Sequence, residues 1–314
     1  RFGVQVPVGP QMSSHSYIKN DKNADIFVNI DGKLVHRSEA KISVFDSGFL
    51  LGDGVWEGIR LHKNQLVFIN DHLDRLFESA KGISLKIPFS KKEIISQISK
   101  VLLKNNMEDD VHIRLIISRG EKITPYQNPN ANLGPITLVI IPEFKKTDPN
   151  TYLNGISIGR VSTLRPSHNI LSTHYNTLSK LNCILASIEA NELGFDEGIM
   201  NDLNGNISTC NSTNLFFIKN NSVWTSKGEY CLNGITRSKA IFLCKKYQIN
   251  CFQKDFTFDE IKNCEEAFVT GTFAGIIPVS SIENRPLLST EFNSLTNHIR
   301  SLYNKHIQEE VNMS

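Results

Sequence analysis

Strand-like and helix-like patterns are mixed in both halves of the chain, without the strict alternation that a doubly wound sheet requires. Alternating or uniformly apolar segments predict strands at 55–61, 65–68, 111–119, 136–141, 156–160, 214–219, 222–225 and 267–270. Two hairpins are also predicted: one at 26–35 around the turn Asp31-Gly32, and one formed by 197–202, the turn at Asn204-Gly205 and the residues from Ile207 onward. Apolar residues at helical spacing predict helices at 70–80, 90–105, 236–247 and 291–307, and one that has Lys180 in its first turn and ends near Leu193. This mixture favours an α/β fold of the mixed α+β kind.

The length of 314 residues is more than one hydrophobic core usually serves, so two domains are expected. The Pro-, Lys-, Asp- and Asn-containing segment 142–154 is the best linker candidate. We predict a small N-terminal α/β domain at 25–145, a linker at 146–154 and a larger C-terminal domain at 155–314. Residues 1–24 are predicted to be a tag remnant and flexible N-terminus, with Met12 as the native start.

Composition excludes several classes of function. The formal net charge is +2, and no apolar run reaches 18 residues, so we expect neither a nucleic-acid partner nor a membrane partner. None of the six cysteines are spaced as C-x-x-C, so neither a metal site nor a disulfide scaffold is predicted. Reduced thiols favour a cytoplasmic enzyme.

Three separate segments carry groups that are suited to an anion such as phosphate. Gly234-Ile-Thr-Arg237 opens a predicted helix, where free backbone N–H groups and the helix dipole favour negative charge. Thr270-Gly-Thr272 offers two hydroxyls after a strand, and Arg75 lies near the apolar face of a helix. Singly, each has an ordinary alternative: a threonine N-cap, a turn, or a surface ion pair with Asp71 or Glu78.

A lysine and a strand arginine are candidates for chemistry. Lys180 has Leu178, Leu181, Ile184 and Leu185 as neighbours, which suggests that it points partly inward. A desolvated lysine has a lowered pKa and can form a Schiff base, whereas a snorkelling surface lysine is the alternative. His112 and Arg114 share one strand face and could bind a substrate carboxylate, although most strand arginines are structural.

Taken in order, six motifs resemble those of the class IV (fold-type IV) pyridoxal-phosphate aminotransferases, the family of branched-chain and D-amino-acid aminotransferases and aminodeoxychorismate lyase. The resemblance covers about 25–307. The motifs are Gly54-Val-Trp-Glu-Gly-Ile-Arg60, His72-Leu-Asp-Arg-Leu76 with Ser79-Ala80, His112-Ile-Arg114, Asn214-Leu-Phe216, Asn233-Gly-Ile-Thr-Arg237 and Thr270-Gly-Thr272.

The resemblance implies two mixed α/β domains with pyridoxal 5′-phosphate in the cleft between them, and a homodimer. It implies that Arg75, the Ile235 and Thr236 amides and the Thr272 hydroxyl hold the cofactor phosphate. The full set of implied cofactor-binding residues is Arg75, Lys180, Thr209, Asn211, Ile235, Thr236, Thr270 and Thr272. The implied substrate residues are His112, Arg114, Phe273 and Ala274.

Two departures from the family pattern indicate a divergent subgroup. A gap-free comparison places Asn176 where most relatives have the Schiff-base lysine, and Lys180 where a tyrosine usually contacts the cofactor. We assign the Schiff base to Lys180 as a hypothesis, because the other nearby lysines, Lys145, Lys146 and Lys219, have linker or hairpin contexts. Thr209 stands where relatives have a glutamate paired with the pyridine nitrogen, so weaker electron withdrawal by the ring is expected.

These observations predict an aminotransferase that moves an amino group between an amino acid or amine and a 2-oxo acid. Thr209 and the shifted lysine favour an alternative function, that of a pyridoxal-phosphate lyase similar to aminodeoxychorismate lyase. Asn176 keeps open a catalytically inactive homologue that only binds the cofactor. The amino donor and its stereochemistry are not indicated by the sequence.

Overall fold

The computed structural model describes residues 13–167, 169–170 and 172–313, with side chains to residue 312. The predicted tag remnant and the start at Met12 lie outside the described residues. Residues 13–24 differ from the predicted tail, because they contain a strand and the beginning of a short 3-10 helix, Asp21–Asp25. Within the described residues, no helix is long and apolar enough to cross a membrane.

The first half is built around a six-stranded sheet that two helices cover. Its elements are β1 (Tyr17–Ile18), β2 (Phe27–Ile30), β3 (Lys33–His36), α1 (Ser47–Leu51), β4 (Gly54–His62), β5 (Gln65–Leu66), α2 (Ile69–Gly82), α3 (Lys91–Lys104), β6 (Val111–Ser118), β7 (Thr137–Phe144), β8 (Lys146–Thr147) and α4 (Asn150–Leu153). The strand order in the sheet is β3-β2-β7-β6-β4-β5, and β1 pairs separately with β8.

The two covering helices follow the predicted periodicity. In α2 the apolar stripe of Leu73, Leu76 and Ala80 is buried against the sheet. The predicted N-cap of α3 is confirmed, because Ser90 and Glu93 form a reciprocal capping box. The strand predicted at 65–68 is shorter than expected, since Phe68 adopts a left-handed conformation (φ 52°) immediately before α2.

The second half is built around a nine-stranded sheet with helices packed on it. Its elements are β9 (Ile156–Arg160), α5 (Leu181–Glu192), β10 (Glu197–Asn201), β11 (Ile207–Cys210), β12 (Asn214–Lys219), β13 (Ser222–Thr225), α6 (Ile235–Lys246), β14 (Cys251–Gln253), α7 (Phe258–Ile261), β15 (Glu266–Gly271), β16 (Gly275–Ile282), β17 (Arg285–Pro286) and α8 (Leu295–Met313). The main path of the sheet is β11-β10-β9-β16-β15-β12-β13-β14, and β17 pairs with β16.

Several boundaries in this half differ from the sequence prediction. Lys180 is the N-cap of α5 rather than a residue of its first turn, and Gly234, not Thr236, caps α6. The predicted end of α5 is confirmed, because Gly194 has the positive φ (83°) of a helix-terminating glycine. The predicted linker 146–154 contains β8 and α4; the exact domain limits stay a prediction.

The two halves meet where the chain enters α5. Residues 176–178 run antiparallel to the start of β4: Trp56 N–H donates to the Asn176 carbonyl (3.0 Å), and Leu178 N–H donates to the Gly54 carbonyl (2.9 Å). Phe68, at the start of α2, packs into a hydrophobic cluster that otherwise belongs mainly to the second half. Residues from both halves therefore line one cleft.

Candidate active site

The cleft contains a cavity of about 360 Å³. It brings together every sequence-predicted site residue except Ala274: His112, Arg114, Arg75, Lys180, Thr209, Asn211, Ile235, Thr236, Thr270, Thr272 and Phe273. Ala274 is buried one residue further on, in the core of the second half, where its carbonyl accepts the Tyr152 hydroxyl (2.8 Å). The structure therefore does not bring Ala274 to the cavity.

The side chain of Arg75 is held in place by a buried carboxylate, that of Glu57. Its Nε and Nη2 donate to the two oxygens of Glu57 (2.8 and 2.7 Å), and His72 Nδ1 lies 2.7 Å from the same carboxylate. Burial raises the pKa of Glu57, but the Arg75 guanidinium and His72 outweigh burial, so the net pKa shift is downward. The third nitrogen of the guanidinium, Arg75 Nη1, donates to the Asn233 carbonyl (3.1 Å), beside the start of α6.

The first turn of α6 is where the sequence predicts an anion site. No side chain caps this helix, which leaves its terminal N–H groups available to a ligand. Asn214 accepts the Gly234 N–H (3.2 Å), and a Cβ at position 234 would lie 2.3 Å from that amide oxygen. Nearby, Thr270 Oγ1 is buried without a hydrogen-bond partner among the described residues. A bound anion would satisfy this hydroxyl.

The amine of Lys180 contacts the side chain of Asn176. Asn176 is buried: its amide nitrogen donates to the Trp56 carbonyl (2.7 Å), and its Oδ1 accepts from Lys180 Nζ (3.1 Å). Burial lowers the pKa of Lys180 to about 8. The nearby charges of Arg165 and Arg75 also lower this pKa, whereas Cys183 and Glu57 raise it. At neutral pH an appreciable fraction of this amine is uncharged and nucleophilic.

The apolar neighbours of Lys180 do not account for its burial. Leu181, Ile184, Leu185 and Ile188 are between 48 and 67% exposed, and the buried residues of α5 are Ala186 and Ala190. Lys180 points inward as expected, but the apolar side chains of α5 are not what buries it. Lys180 is enclosed instead by cavity residues, including the Trp56 ring (5.5 Å from Nζ to the centroid).

The loop between β11 and β12 forms another wall of the cavity. The Thr209 hydroxyl donates to the Thr213 carbonyl (2.7 Å), so toward the cavity this hydroxyl can only accept a hydrogen bond. Asn211 Oδ1 accepts the Gly198 N–H (2.7 Å), which ties the loop to β10. Thr213 also donates to the buried carboxylate of Glu197 (2.6 Å). Hydrogen bonds to β10 therefore hold this loop in place on the side away from the cavity.

The predicted substrate residues lie on a wall of aromatic and basic side chains. Arg114 stacks over the Trp56 ring (3.8 Å to the centroid), and His112 meets Phe273 edge to face (5.7 Å). His112 Nδ1 is buried without a partner among the described residues. Burial lowers the pKa of His112 to about 3, and Lys145 and Arg114 add to the effect. His112 is therefore neutral near pH 7.

Three basic cavity residues were not predicted from the sequence as part of the site. His15 comes from the presumed tail, Lys145 from the segment interpreted as linker, and Arg165 from an irregular segment that precedes α5. A sequence signal existed only for Lys145, which directly follows a strand, where functional side chains are often placed. His15 and Arg165 reach the cavity through long-range packing.

The cavity is electropositive. Five Lys or Arg side chains and no Asp or Glu line it within the part of the chain that the structure describes. The basic residues are Arg75, Arg114, Lys145, Arg165 and Lys180. Such a lining favours ligands that carry a phosphate and a carboxylate.

Comparisons with known proteins agree with this geometry. The family model described as amino-transferase class IV matches residues 54–282. Branched-chain-amino-acid aminotransferase-like protein 2 of Arabidopsis thaliana is 36% identical over 288 residues, which is 90% of this chain and 51% of the relative. The chain thus spans about half the length of that relative.

Two further similarities cover nearly whole proteins. The putative branched-chain-amino-acid aminotransferase of Methanocaldococcus jannaschii is 32% identical over 277 residues, covering 88% of this chain and 94% of that protein. The solved branched-chain amino acid aminotransferase of T.th., complexed with N-(5′-phosphopyridoxyl)-L-glutamate, superimposes with a TM-score of 0.81 at 25% identity. That comparison covers 90% of this chain and 94% of the other.

Proposed function

Because the chain belongs to the class IV aminotransferases, we propose that it is a pyridoxal-phosphate-dependent transaminase. It moves an amino group between an amino acid or amine and a 2-oxo acid. The observation that carries the proposal is the Lys180 amine, partly buried with a lowered pKa in the same cavity as an anion site. The complexed relative supports the cofactor, since the ligand of that structure is a phosphopyridoxyl amino acid.

The residues present fit a phosphorylated cofactor. The start of α6, the Arg75 guanidinium and the unpartnered Thr270 hydroxyl suit the phosphate, with Thr272 lining the same cavity. Asn211 and Thr209 lie on the loop that the resemblance places beside the ring. Thr209 presents an oxygen lone pair there, so it can accept from a protonated ring nitrogen. The weaker electron withdrawal expected with Thr209 at this position stays a prediction.

Pyridoxal phosphate supplies an aldehyde that an amine can capture and a ring that withdraws electrons from the substrate. Lys180 contributes the amine, and Asn176 Oδ1 holds it by the 3.1 Å hydrogen bond. As a free amine, Lys180 would take the proton from the substrate Cα and deliver it to the carbon of the former cofactor aldehyde, as amino transfer requires. Arg114 and the neighbouring Lys145 offer charge to the substrate carboxylate.

Reductive trapping tests the central assignment. Protein reconstituted with pyridoxal phosphate is treated with borohydride, digested and mapped by mass spectrometry. We expect the cofactor mass on the peptide that contains Lys180, and its loss in Lys180→Ala. Lys145→Ala is the matched control, because it removes the other lysine of the cavity and should leave the label in place. A label on Lys145, or none, would contradict the assignment.

A lyase of the same family remains the second candidate, because Thr209 supplies no carboxylate to the ring. The two reactions differ in their need for an amino acceptor. Transfer of the amino group to any of several common 2-oxo acids supports the transaminase. Elimination from the substrate that proceeds without a 2-oxo acid supports the lyase.

We further propose that the protein is a homodimer and works in the cytoplasm. The exposed apolar face of α5, formed by Leu181, Ile184, Leu185 and Ile188, is unusual for a helix in contact with water. It would be covered in a symmetric dimer. All six cysteines are free thiols, which supports a reducing compartment such as the cytoplasm.

A further inference from the structure

Residues 13–18 precede the region that the family model matches, yet they contribute to the cavity. Tyr17 and Ile18 form β1, which pairs with Lys146 and Thr147, and the Ser16 carbonyl accepts the Asp148 N–H (3.2 Å). At the other end, Ser14 is buried and its hydroxyl donates to Glu197. The segment is anchored on both sides of His15, whose side chain lines the cavity.

The anchoring determines which nitrogen of His15 carries the proton. Ser14 Oγ lies 2.9 Å from His15 Nδ1, and the single proton of this hydroxyl is already donated to Glu197. Ser14 must therefore accept from His15, so the proton is on Nδ1. Nε2 is then a bare acceptor, and it has no hydrogen-bond partner among the residues that the structure describes.

The surroundings keep this imidazole neutral and oriented. The ring stacks on Phe273 with centroids 6.3 Å apart and an interplanar angle of 15°. The protein around it desolvates the ring and lowers the pKa of His15 to about 4, and Lys145 and Arg114 lower it further. The residue as a whole is exposed, and its ring borders the cavity, where a ligand can reach it. At neutral pH it offers a lone pair rather than a charge.

An aliphatic substrate side chain would find few partners on this wall. Beside His15 lie the neutral His112, whose Nδ1 also lacks a partner among the described residues, and the cations Arg114 and Lys145. Phe273 is the apolar member of this group. A hydrocarbon packed against His15 would leave its Nε2 acceptor without a hydrogen bond, which costs binding free energy.

We propose that His15 Nε2 accepts a hydrogen bond from a hydroxyl or amide group on the substrate side chain. Amino acids with a polar side chain, and their 2-oxo acids, are then preferred over branched aliphatic ones. Ser14 and Glu197 act as positioning residues that set the tautomer of His15. The inference rests on the proposed function and names the substrate class of the same site.

The preference for polar side chains is tested with pairs of amino donors that have similar shapes but differ in polarity. The reconstituted enzyme is given asparagine or leucine, and threonine or valine, and each half-reaction is followed by the visible spectrum. The native protein should favour the polar member of at least one pair by about tenfold in kcat/KM, the effect of one hydrogen bond. His15→Phe keeps a ring on Phe273 and should bring that ratio close to one, through KM rather than kcat. His36→Phe, outside the cavity, should change nothing.

Two outcomes would overturn the proposal: an aliphatic preference in the native protein, or a polar preference that His15→Phe leaves intact. If no donor reacts, the transaminase proposal fails by itself. Calorimetric dissociation constants for the same pairs then still decide the role of His15.

A second readout needs neither cofactor nor turnover. Nitrogen-15 NMR of the His15 ring in the apoprotein should show the Nδ1–H tautomer, and Ser14→Ala should abolish that preference. An Nε2–H tautomer in the native protein would refute the mechanism.

Discussion

At the scale of single residues, the position of the reactive amine depends on two side chains rather than one. Asn176 lies where the resemblance expects a lysine, and its Oδ1 meets Lys180 Nζ at 3.1 Å. The asparagine amide is itself anchored on the Trp56 carbonyl, so its oxygen is held toward the lysine. A lysine four residues further along the chain can therefore deliver its amine to the neighbourhood of the usual position.

The lowered pKa of Lys180 predicts its pH-dependent reactivity. Only the neutral amine is a nucleophile, so the rate of modification should rise with pH and reach half of its maximum near the pKa of about 8. The measurement is labelling of the apoprotein with an amine-selective reagent, with Lys180 quantified by mass spectrometry.

The matched control is the same lysine in the unfolded chain. There its midpoint should move to about 10.4, the value of an unperturbed lysine. Equal midpoints in the folded and unfolded chains would show that burial does not tune this amine.

At the scale of elements, helix starts and strand ends build the site. The uncapped start of α6, the end of β15 at Thr270 and the turn that follows it line the same cavity, where we propose that the cofactor phosphate binds. β4 contributes Glu57, which holds Arg75 on α2. Each element presents an ordinary terminus, and their convergence gives an anion site that no single motif predicts.

The start of α6 can be disturbed by a single methyl group. In Gly234→Ala the new Cβ would meet Asn214 Oδ1 at 2.3 Å, so either the Asn214 amide, which is bonded to the Leu232 carbonyl, or the first turn of α6 must shift. We expect the dissociation constant of pyridoxal phosphate to rise by about tenfold or more, since the helix N–H groups lose their alignment. Equilibrium dialysis against the cofactor measures this change.

Gly134→Ala is the control for that substitution, because nothing lies within 4 Å of a Cβ at position 134. It should bind the cofactor like the native protein. Equal affinities for the two variants would show that the start of α6 does not hold the phosphate.

At the scale of the whole molecule, the exposed face of α5 leaves a single chain incomplete. Four large apolar side chains at helical spacing lie open to solvent on the helix that begins next to Lys180. A dimer that buried them would also restrict the helix that carries the reactive lysine. Assembly and catalysis are in this way expected to be coupled.

Leu185→Lys tests this assembly. Burying a leucine side chain contributes about 1.5–3 kcal/mol, so losing it should weaken the dimer at least about tenfold. Sedimentation velocity over a dilution series measures the monomer–dimer equilibrium. Leu103→Lys is the control, because Leu103 is equally apolar and 77% exposed but lies on α3. Equal sedimentation of both variants, or a monomeric native protein, would contradict the proposed dimer.

Much of the fold and part of the site follow from the sequence. Periodicity predicts most strands and helices, because alternation and the helical repeat are local properties that burial then reinforces. The motifs around Arg75, Gly234 and Thr270 predict the anion site. The sequence also predicts that Lys180 points partly inward, and its side chain lines the cavity. It does not show that Leu181 and Leu185 beside it are exposed.

Only the tertiary structure decided the rest of the site. His15, Lys145 and Arg165 reach the cavity through contacts between segments far apart in the chain, and no local pattern encodes such contacts. The tautomer of His15 depends on Ser14 and on Glu197, 183 residues from Ser14. By itself, then, the sequence determined the family and predicted the residues that we propose for the cofactor end of the cavity. The substrate end depended on long-range packing, because its residues gain their roles only from the neighbours that folding brings to them.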